Sequence, residues 1–592
     1  MTGEAWRSPA ARARRIGLGV ILLVGALDAW FFQRWNVDPD GVSYVDLARA
    51  FLAHGPSALV SGYWSPLFPA LLGVAYRIVP PTIETMYPTA HWVAFGIFAL
   101  ATCCFFRLLS QISSRAAAFR EASASVQVAV IAAAWGAYGL FMLEGLGVRL
   151  VTPDGGVSLV VFYAAGELLA LRDEPWRASR WMRLGVALGL GYWWKAILFP
   201  VGLVTFVAAT LFALRRRDAR AGPGAGALAY AAVALVLIIP VSRAAGRPTF
   251  SETGRLNYLW YVNSAPYVWD RCRDRRIPDA AAAPFGRIRA DSVVFRDPLT
   301  CALPEQVHEA TLPMWFDTSL WYHEARAVWS PSQQWRAIRT NLRYVAGYIG
   351  EGAPFAFPAL VIAGIIALLL GGIPRGAGPV AALLVAPCVF YLAVYVELRH
   401  LSPFLAVGSA IAPLLLVRAA RRARALVWTL AAVVLADAAW RVSGQTLIEL
   451  TFIRHAVTGT LGDRTTPTQR VARSLAAAGL VPGTRVAGIN DLWNPEWAQL
   501  AQLRIRALVP EPGISIVSVE RALHDPCTLS AWSEALRHSG VSAAVARIPA
   551  GLRVPPGFVT AAGEYYVLKL DAVPPCPRPA GAIRSSSRTG AH

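Results

Sequence analysis

Apolar residues fall in long runs along this chain rather than at alternating positions. A helix needs about 20 apolar residues to cross a bilayer. Candidate spans lie near 16–35, 89–109, 126–148, 154–171, 182–196, 197–214, 228–245, 354–371, 379–396, 401–417 and 424–441, eleven in all. The first follows the basic stretch "RSPAARARR" and shows no small-residue cleavage site before Asp38, so it reads as an uncleaved anchor. Residues 66–79, "PLFPALLGVAYRIV", are apolar but short, and read as a helix that dips into the bilayer and returns.

Between the anchor and that helix lies "DPDGVSYVDLARAFL", residues 38–52. Tyr44, Leu47, Ala48, Phe51 and Leu52 recur at helical spacing, and Ser43, Asp46 and Arg49 fall off that face. The pattern predicts a helix lying in the interface, with Asp38 and Asp40 at its N-terminal end in water.

Basic residues then fix the topology. Clusters occur at Arg7–Arg15, Arg107–Arg120, Arg172–Arg183, Arg215–Arg220, Arg375 and Arg418–Arg424. The re-entrant reading of 66–79 puts all of them on one side, as the positive-inside rule favours. The other side then holds Asp38, Asp40, Asp154, the loop 246–352, Arg399, His400 and everything after about 442. In that loop Trp260, Tyr261, Trp269, Trp315, Trp321 and Tyr322 suit sugar stacking or, more commonly, anchoring at the membrane interface.

Composition agrees. Of 592 residues 55% are hydrophobic and 16% charged. The formal charge of +20 suggests nucleic acid, but the arginines sit in short clusters between apolar runs, which excludes that class. Lys195 and Lys569 are the only lysines, which sets off Lys195 inside an apolar region. Cys103, Cys104 and Cys388 fall in apolar segments and read as packing residues. On an oxidising side, Cys272 with Cys301 and Cys527 with Cys576 have the placement for two disulfides.

The tail, 442–592, reads as a separate small α/β domain with a disordered end from about 574. "TPTQRVARSLAAAGLVPGTRVAGIND" runs helix, glycine turn, strand, and "LSAWSEALRHSGVSAAVARI" repeats that order. "RIRALV", "ISIVSV" and "YYVLKL" read as strands. No GxGxxG follows the first strand, so nucleotide binding is not expected.

Acids and bases expected at one height on one face suit transfer of a group held on a lipid phosphate. A carboxylate takes the proton of an attacking hydroxyl, and fixed cations stabilise the leaving phosphate. Asp38 and Asp40 are the acids placed to do this; the alternative is that both cap the helix. Asp154, after Pro153, either caps its span or orders the site. Lys195 either pairs with phosphate or snorkels. Arg399 suits bidentate phosphate binding, with interfacial anchoring as the alternative, and His400 is a further donor. Tyr44 and Trp64 are candidate substrate-binding residues, with packing as the other reading. Asp28, inside the first span, has no evident role, and Glu144 with Arg149 suggests a structural pair. "DPD" has the form of a DxD metal motif, but two carboxylates are too few for a site, so a divalent metal is left open.

Five segments in order resemble the GT-C glycosyltransferase superfamily, nearest its family-39 type, which includes protein O-mannosyltransferases and lipid A aminoarabinose transferases. They are "DPDGVSYVDLARAF", "YWSPLFPALLG", "TPDGGVSLVVFYAAGELLALR", "LGVALGLGYWWKAILFPVGL" and "VELRHLSPFLAV". The resemblance covers about residues 16–440, and by its match to the family turn in "DG..Y" it implies Asp40 as the first candidate base and Asp38 as the second. It implies a polytopic α-helical membrane domain over 1–441, with interfacial helices at about 41–79, an exoplasmic loop at 246–352 and an exoplasmic α/β domain over 442–592. It implies an inverting transferase that moves a sugar from a polyprenyl-phosphate donor to a hydroxyl of a glycan, lipid or protein. It further implies a bacterial cytoplasmic membrane location with the N-terminus cytoplasmic and the C-terminal domain periplasmic. Here "DPD" and "SPL" stand where family members often carry an adjacent acidic pair or "PPL", which bears on donor and acceptor assignment. A transporter or flippase of lipid-linked saccharide and a non-catalytic scaffold are the alternatives; the first usually shows paired repeats and midplane charges, and no repeat is evident.

Overall fold

The structure is a computed structural model. It describes residues 8–32, 37–146, 148, 150–215, 222–267, 285, 292–303, 309–352, 355–371, 376–419, 424–458, 465–489, 494–509 and 515–576. Two compact units are present, the first made of Met1–Tyr267, Pro278–Ile288 and Trp315–Thr466, the second of Val268–Ile277, Arg289–Met314 and Pro467–His592.

The first unit is helical. Its helices are α1 (Pro9–Phe32), α2 (Pro39–His54), α3 (Leu67–Ile78), α4 (Met86–Arg115), α5 (Ala124–Gly139), α6 (Asp154–Asp173), α7 (Ala178–Trp194), α8 (Leu198–Arg215), α9 (Gly222–Ala245), α10 (Pro331–Gly352), α11 (Ala356–Gly371), α12 (Gly378–Val394), α13 (Leu398–Ala419) and α14 (Arg424–Val457). A π-helical turn, Leu140–Leu146, continues α5. Among the described residues eight helices are long and apolar enough to cross a membrane: α1, α4, α5 with its π turn, α6, α8, α9, α13 and α14. The chain is a multi-pass membrane protein. The expected spans at 182–196, 354–371 and 379–396 are helical as α7, α11 and α12 but run only 17, 16 and 17 residues. At 1.5 Å per residue these reach about 25 Å, near the lower limit of about 17 residues for a crossing helix, and the basic clusters share one side only when all three are counted as crossings. Helix α3 has 12 residues, too few to span.

Two sequence expectations change here. Helix α2 is buried beyond its apolar face: Ser43 and Asp46, placed on the polar side, are each 1% exposed. Glu252, Thr253 and Asp317, from the loop expected outside, hold the turn at 62–63 that follows α2. Asp317 accepts the N–H of Gly62 at 3.0 Å, Thr253 donates to the Tyr63 carbonyl at 2.6 Å, and the Glu252 N–H donates to the Gly62 carbonyl at 2.8 Å. The aromatics of that loop were expected at the membrane interface or on a sugar. Instead Trp260, Trp315, Trp321 and Tyr322 are buried, because a segment with few long apolar helices needs large rings to build its core. Trp269 lies outside the described residues.

The second unit is a seven-stranded mixed sheet, β1 (Ser292–Arg296), β2 (Leu299–Ala302), β3 (Arg485–Ile489), β4 (Arg504–Val509), β5 (Ala543–Arg547), β6 (Val559–Ala562) and β7 (Tyr565–Lys569), in the order β1-β2-β4-β3-β5-β7-β6. Strand β3 pairs in parallel with β4 and β5, and the other pairs are antiparallel. The expected boundary at 441/442 falls inside α14, and the hairpin β1–β2 comes from the loop 246–352. "ISIVSV" is not a strand: residues 515–524 form a helix in which Val519 and Leu523, four apart, are buried. Trp532, fully buried, donates its indole N–H to Thr300 Oγ1 at 2.8 Å and ties the hairpin to the core. Cys527 and Cys576 form a disulfide, which fixes the chain beyond 574 as far as Cys576. Cys301 is disulfide-bonded as well, while Cys272 lies outside the described residues.

Candidate functional site

Asp38 holds the N-cap position of α2, with Pro39 opening the helix, yet its side chain makes no capping bond. Its Oδ1 instead accepts the N–H of Val151 at 3.1 Å. That approach needs Gly41, since a Cβ there would stand 3.0 Å from Asp38 Oδ1 and 3.2 Å from the Val151 Cβ. The Asp38 carboxylate thus engages Val151 rather than the helix end.

What they face is Arg399. Its Nη2 lies 2.8 Å from Asp40 Oδ2, its Nη1 3.9 Å from Asp38 Oδ2 and its Nε 2.5 Å from Glu397 Oε2. Arg399 is thus ion-paired to three carboxylates. Glu397 went unremarked as a functional residue in the sequence, although E-x-R sits in plain view there. Its other oxygen accepts the hydroxyl of Tyr395, whose ring stacks on Tyr261 at 3.8 Å. These groups line an open cleft of about 300 Å³, with Asp38, Asp40, Leu150, Glu397 and Arg399 in its wall. Burial and then the charge of Asp40 push the Asp38 carboxyl up to about 7, against the pull of Arg399 and the Val151 N–H.

A second ion pair stands beside the first. Asp154, 2% exposed, accepts from Lys195 Nζ at 2.5 Å and from Thr152 Oγ1 at 3.0 Å. It makes no helix-capping bond and is ion-paired to Lys195 instead. Lys195 occupies the extended break between α7 and α8. Gly156 seats that break: a Cβ there would fall 2.1 Å from the Trp194 ring. Asp154 lies within electrostatic reach of Arg399 and His400, while the wall of the open cleft itself holds neither Asp154 nor Lys195. Asp38, Asp40, Asp154 and Glu397 outnumber Lys195 and Arg399 there.

The remaining candidates divide. His400 uses Nδ1 to accept the Glu397 N–H at 3.3 Å and stacks on Tyr391 at 4.7 Å, which makes it a support for the Glu397–Arg399 turn. Tyr44, 5% exposed, lies edge-on to Trp64 and Phe68, with Asp40 and Asp154 in electrostatic reach. Burial first, then those carboxylates, raise its phenol, so it stays a neutral donor. Trp64 donates its indole N–H to the Trp315 carbonyl at 2.8 Å, the packing reading. Among the described residues no three His, Cys, Asp or Glu side chains are grouped to hold a metal ion.

No protein-family model matches the chain, and no curated protein matches it. Solved structures similar in fold include ArnT from Cupriavidus metallidurans bound to undecaprenyl phosphate, at 14% identity and TM-score 0.48, covering 95% of this chain and 99% of that one. The same protein in the apo state gives 13% identity and TM-score 0.47, covering 95% of this chain and 100% of that one. At this level of likeness, residue roles come only from the geometry of the present chain.

Proposed function

We propose that this chain is an inverting glycosyltransferase of the GT-C type. It moves a sugar from a polyprenyl-phosphate donor to a hydroxyl acceptor on the outer face of a bacterial cytoplasmic membrane. The observation that carries the reading is Arg399 bridging Asp40 and Asp38 in an open cleft, with Lys195 on Asp154 beside it. In the reaction Asp40 accepts the acceptor's hydroxyl proton as that oxygen attacks the anomeric carbon. The bond from that carbon to the phosphate oxygen breaks, and Arg399 and Lys195 neutralise the released lipid phosphate. Asp38 and Glu397 aim the guanidinium. The basic clusters between spans support a cytoplasmic N-terminus and an exoplasmic cleft and sheet unit.

The test is deletion of the gene, complementation with wild type or Asp40→Asn, and mass spectrometry of envelope glycans. A sugar missing from the deletion strain, restored by wild type and not by equally expressed Asp40→Asn, is the expected result. A glycan profile unchanged by deletion under every growth condition defeats the reading.

A further inference from the structure

A second cavity, of about 200 Å³, opens between α1, the π-helical turn and α14. Asp28 enters it from α1, Glu144 from the π turn, and Arg441, Gln445 and Thr446 from α14. This is the place of the buried Asp28, for which the sequence offered no role. Val24, Asp28 and Phe32, four apart, form one stripe of α1 along its wall. The π turn is a second sign. Such turns are rare, and frequently occur at functional sites; this one carries Leu143 and Glu144 into the wall.

The position relative to the first cleft follows from the chain. Phe32 lies six residues before Asp38, and Glu144 six before Leu150, and both later residues line the first cleft. Six extended residues reach at most about 20 Å. The elements walling the second cavity carry neither Lys195 nor Asp154, which come from the α7–α8 break and α6. Helix α13, with Arg399, packs against both the π turn and α6. The second cavity is thus walled by α1, the π turn and α14, while Lys195 and Asp154 come from other elements.

Its chemistry asks for hydrogen-bond donors without negative charge. Asp28 and Glu144 are carboxylates, and Arg441 is paired with Asp437 at 3.5 Å. Gln445 donates its amide N–H to Glu449 at 2.9 Å and Thr446 its hydroxyl to the Val442 carbonyl at 2.8 Å, so both present acceptor oxygens. Ring hydroxyls, which both donate and accept, fit a wall that holds two carboxyl groups, an amide, a hydroxyl and a guanidinium. The volume is below the ~300–1,000 Å³ of drug-sized pockets, which suits a single ring.

We propose that this cavity is an acceptor subsite that holds a hydroxyl-bearing sugar ring of the acceptor, neighbouring the unit whose hydroxyl reacts at Asp40. The inference rests on the transferase reading above. Val24→Trp and Thr446→Trp fill the space without touching the first cleft. Each is assayed twice: binding of undecaprenyl phosphate to purified protein in nanodiscs, and glycan product in the complemented deletion strain. Product is sought in organic and aqueous extracts, which separates a lipid-anchored from a free acceptor. The expected result is product reduced at least tenfold with lipid phosphate binding within twofold of wild type. Normal product from both variants at equal expression overturns the proposal. Loss of lipid phosphate binding along with product also overturns it, because the cavity then only supports the fold. A wild-type protein that binds no undecaprenyl phosphate and restores no glycan defeats the transferase reading instead, before any variant is compared.

Discussion

Asp40→Asn should bind the donor's lipid phosphate more tightly than wild type while losing turnover. In the structure Arg399 Nη2 is held by Asp40 at 2.8 Å, so an incoming phosphate competes with the carboxylate for the same guanidinium. Two unit charges about 4 Å apart attract by about 4 kcal/mol at an effective dielectric of 20. The Asp40 side chain is 35% exposed and that of Arg399 19%, so solvent screening brings this down to ~1 kcal/mol. Neutralising Asp40 should therefore tighten undecaprenyl phosphate binding about fivefold, and removing a negative charge from the path of the phosphate acts in the same direction. Loss of the base should lower transfer by about 10²–10⁴-fold. The assay is titration of undecaprenyl phosphate against nanodisc-embedded protein at low salt, with Arg399→Gln as the control that weakens binding. Unchanged or weaker binding by Asp40→Asn, with Arg399→Gln also unchanged, would show that Arg399 is not the phosphate ligand.

Three further outcomes follow from the same geometry. Below about pH 7 the folded protein keeps a proton on Asp38 that the unfolded chain loses near pH 4. Stability should fall as pH rises from about 4 to 7 and level off above it. The groups facing Asp38 are Asp40, Arg399 and the Val151 N–H, so undecaprenyl phosphate should bind more tightly at pH 6 than at pH 8. Asp38→Asn should flatten that dependence, and a persisting slope would assign it to another group. Gly156→Ala places a methyl 2.1 Å from the Trp194 ring, an overpacking of about 1–3 kcal/mol; displacement of neighbouring Lys195 should raise the dissociation constant for undecaprenyl phosphate. Cys527→Ser opens a link between residues 49 apart, which should lower the stability of the sheet unit by roughly 2–4 kcal/mol, read by thermal melting with and without reductant.

Several features of this protein were legible in the residues alone. Helices in a bilayer satisfy their own backbone, so a run of apolar residues reports a span without knowledge of its neighbours. That locality gave the membrane class, the short helix over 66–79, the break at Lys195 and the prominence of Asp38, Asp40, Asp154 and Arg399, because an ionisable group in an apolar sequence stands out on its own. Pairing is a long-range matter, and there the sequence was silent. Asp40 and Arg399 are 359 positions apart, and nothing local says that they meet or that Glu397 joins them. Ser43 and Asp46 fell off the apolar face of α2, yet both are buried, and helical spacing by itself does not report what else in the chain packs there. "ISIVSV" was ambiguous between strand and helix because six mixed residues carry too little period; Leu523, one turn beyond Val519, gives the helix its buried stripe. The hairpin β1–β2 could be assigned to the sheet only through its pairing with β4, more than 200 residues later. The sequence thus determined which residues are unusual. Tertiary structure decided which of them share a site, because charge neutralisation and backbone pairing are settled by whatever folds alongside.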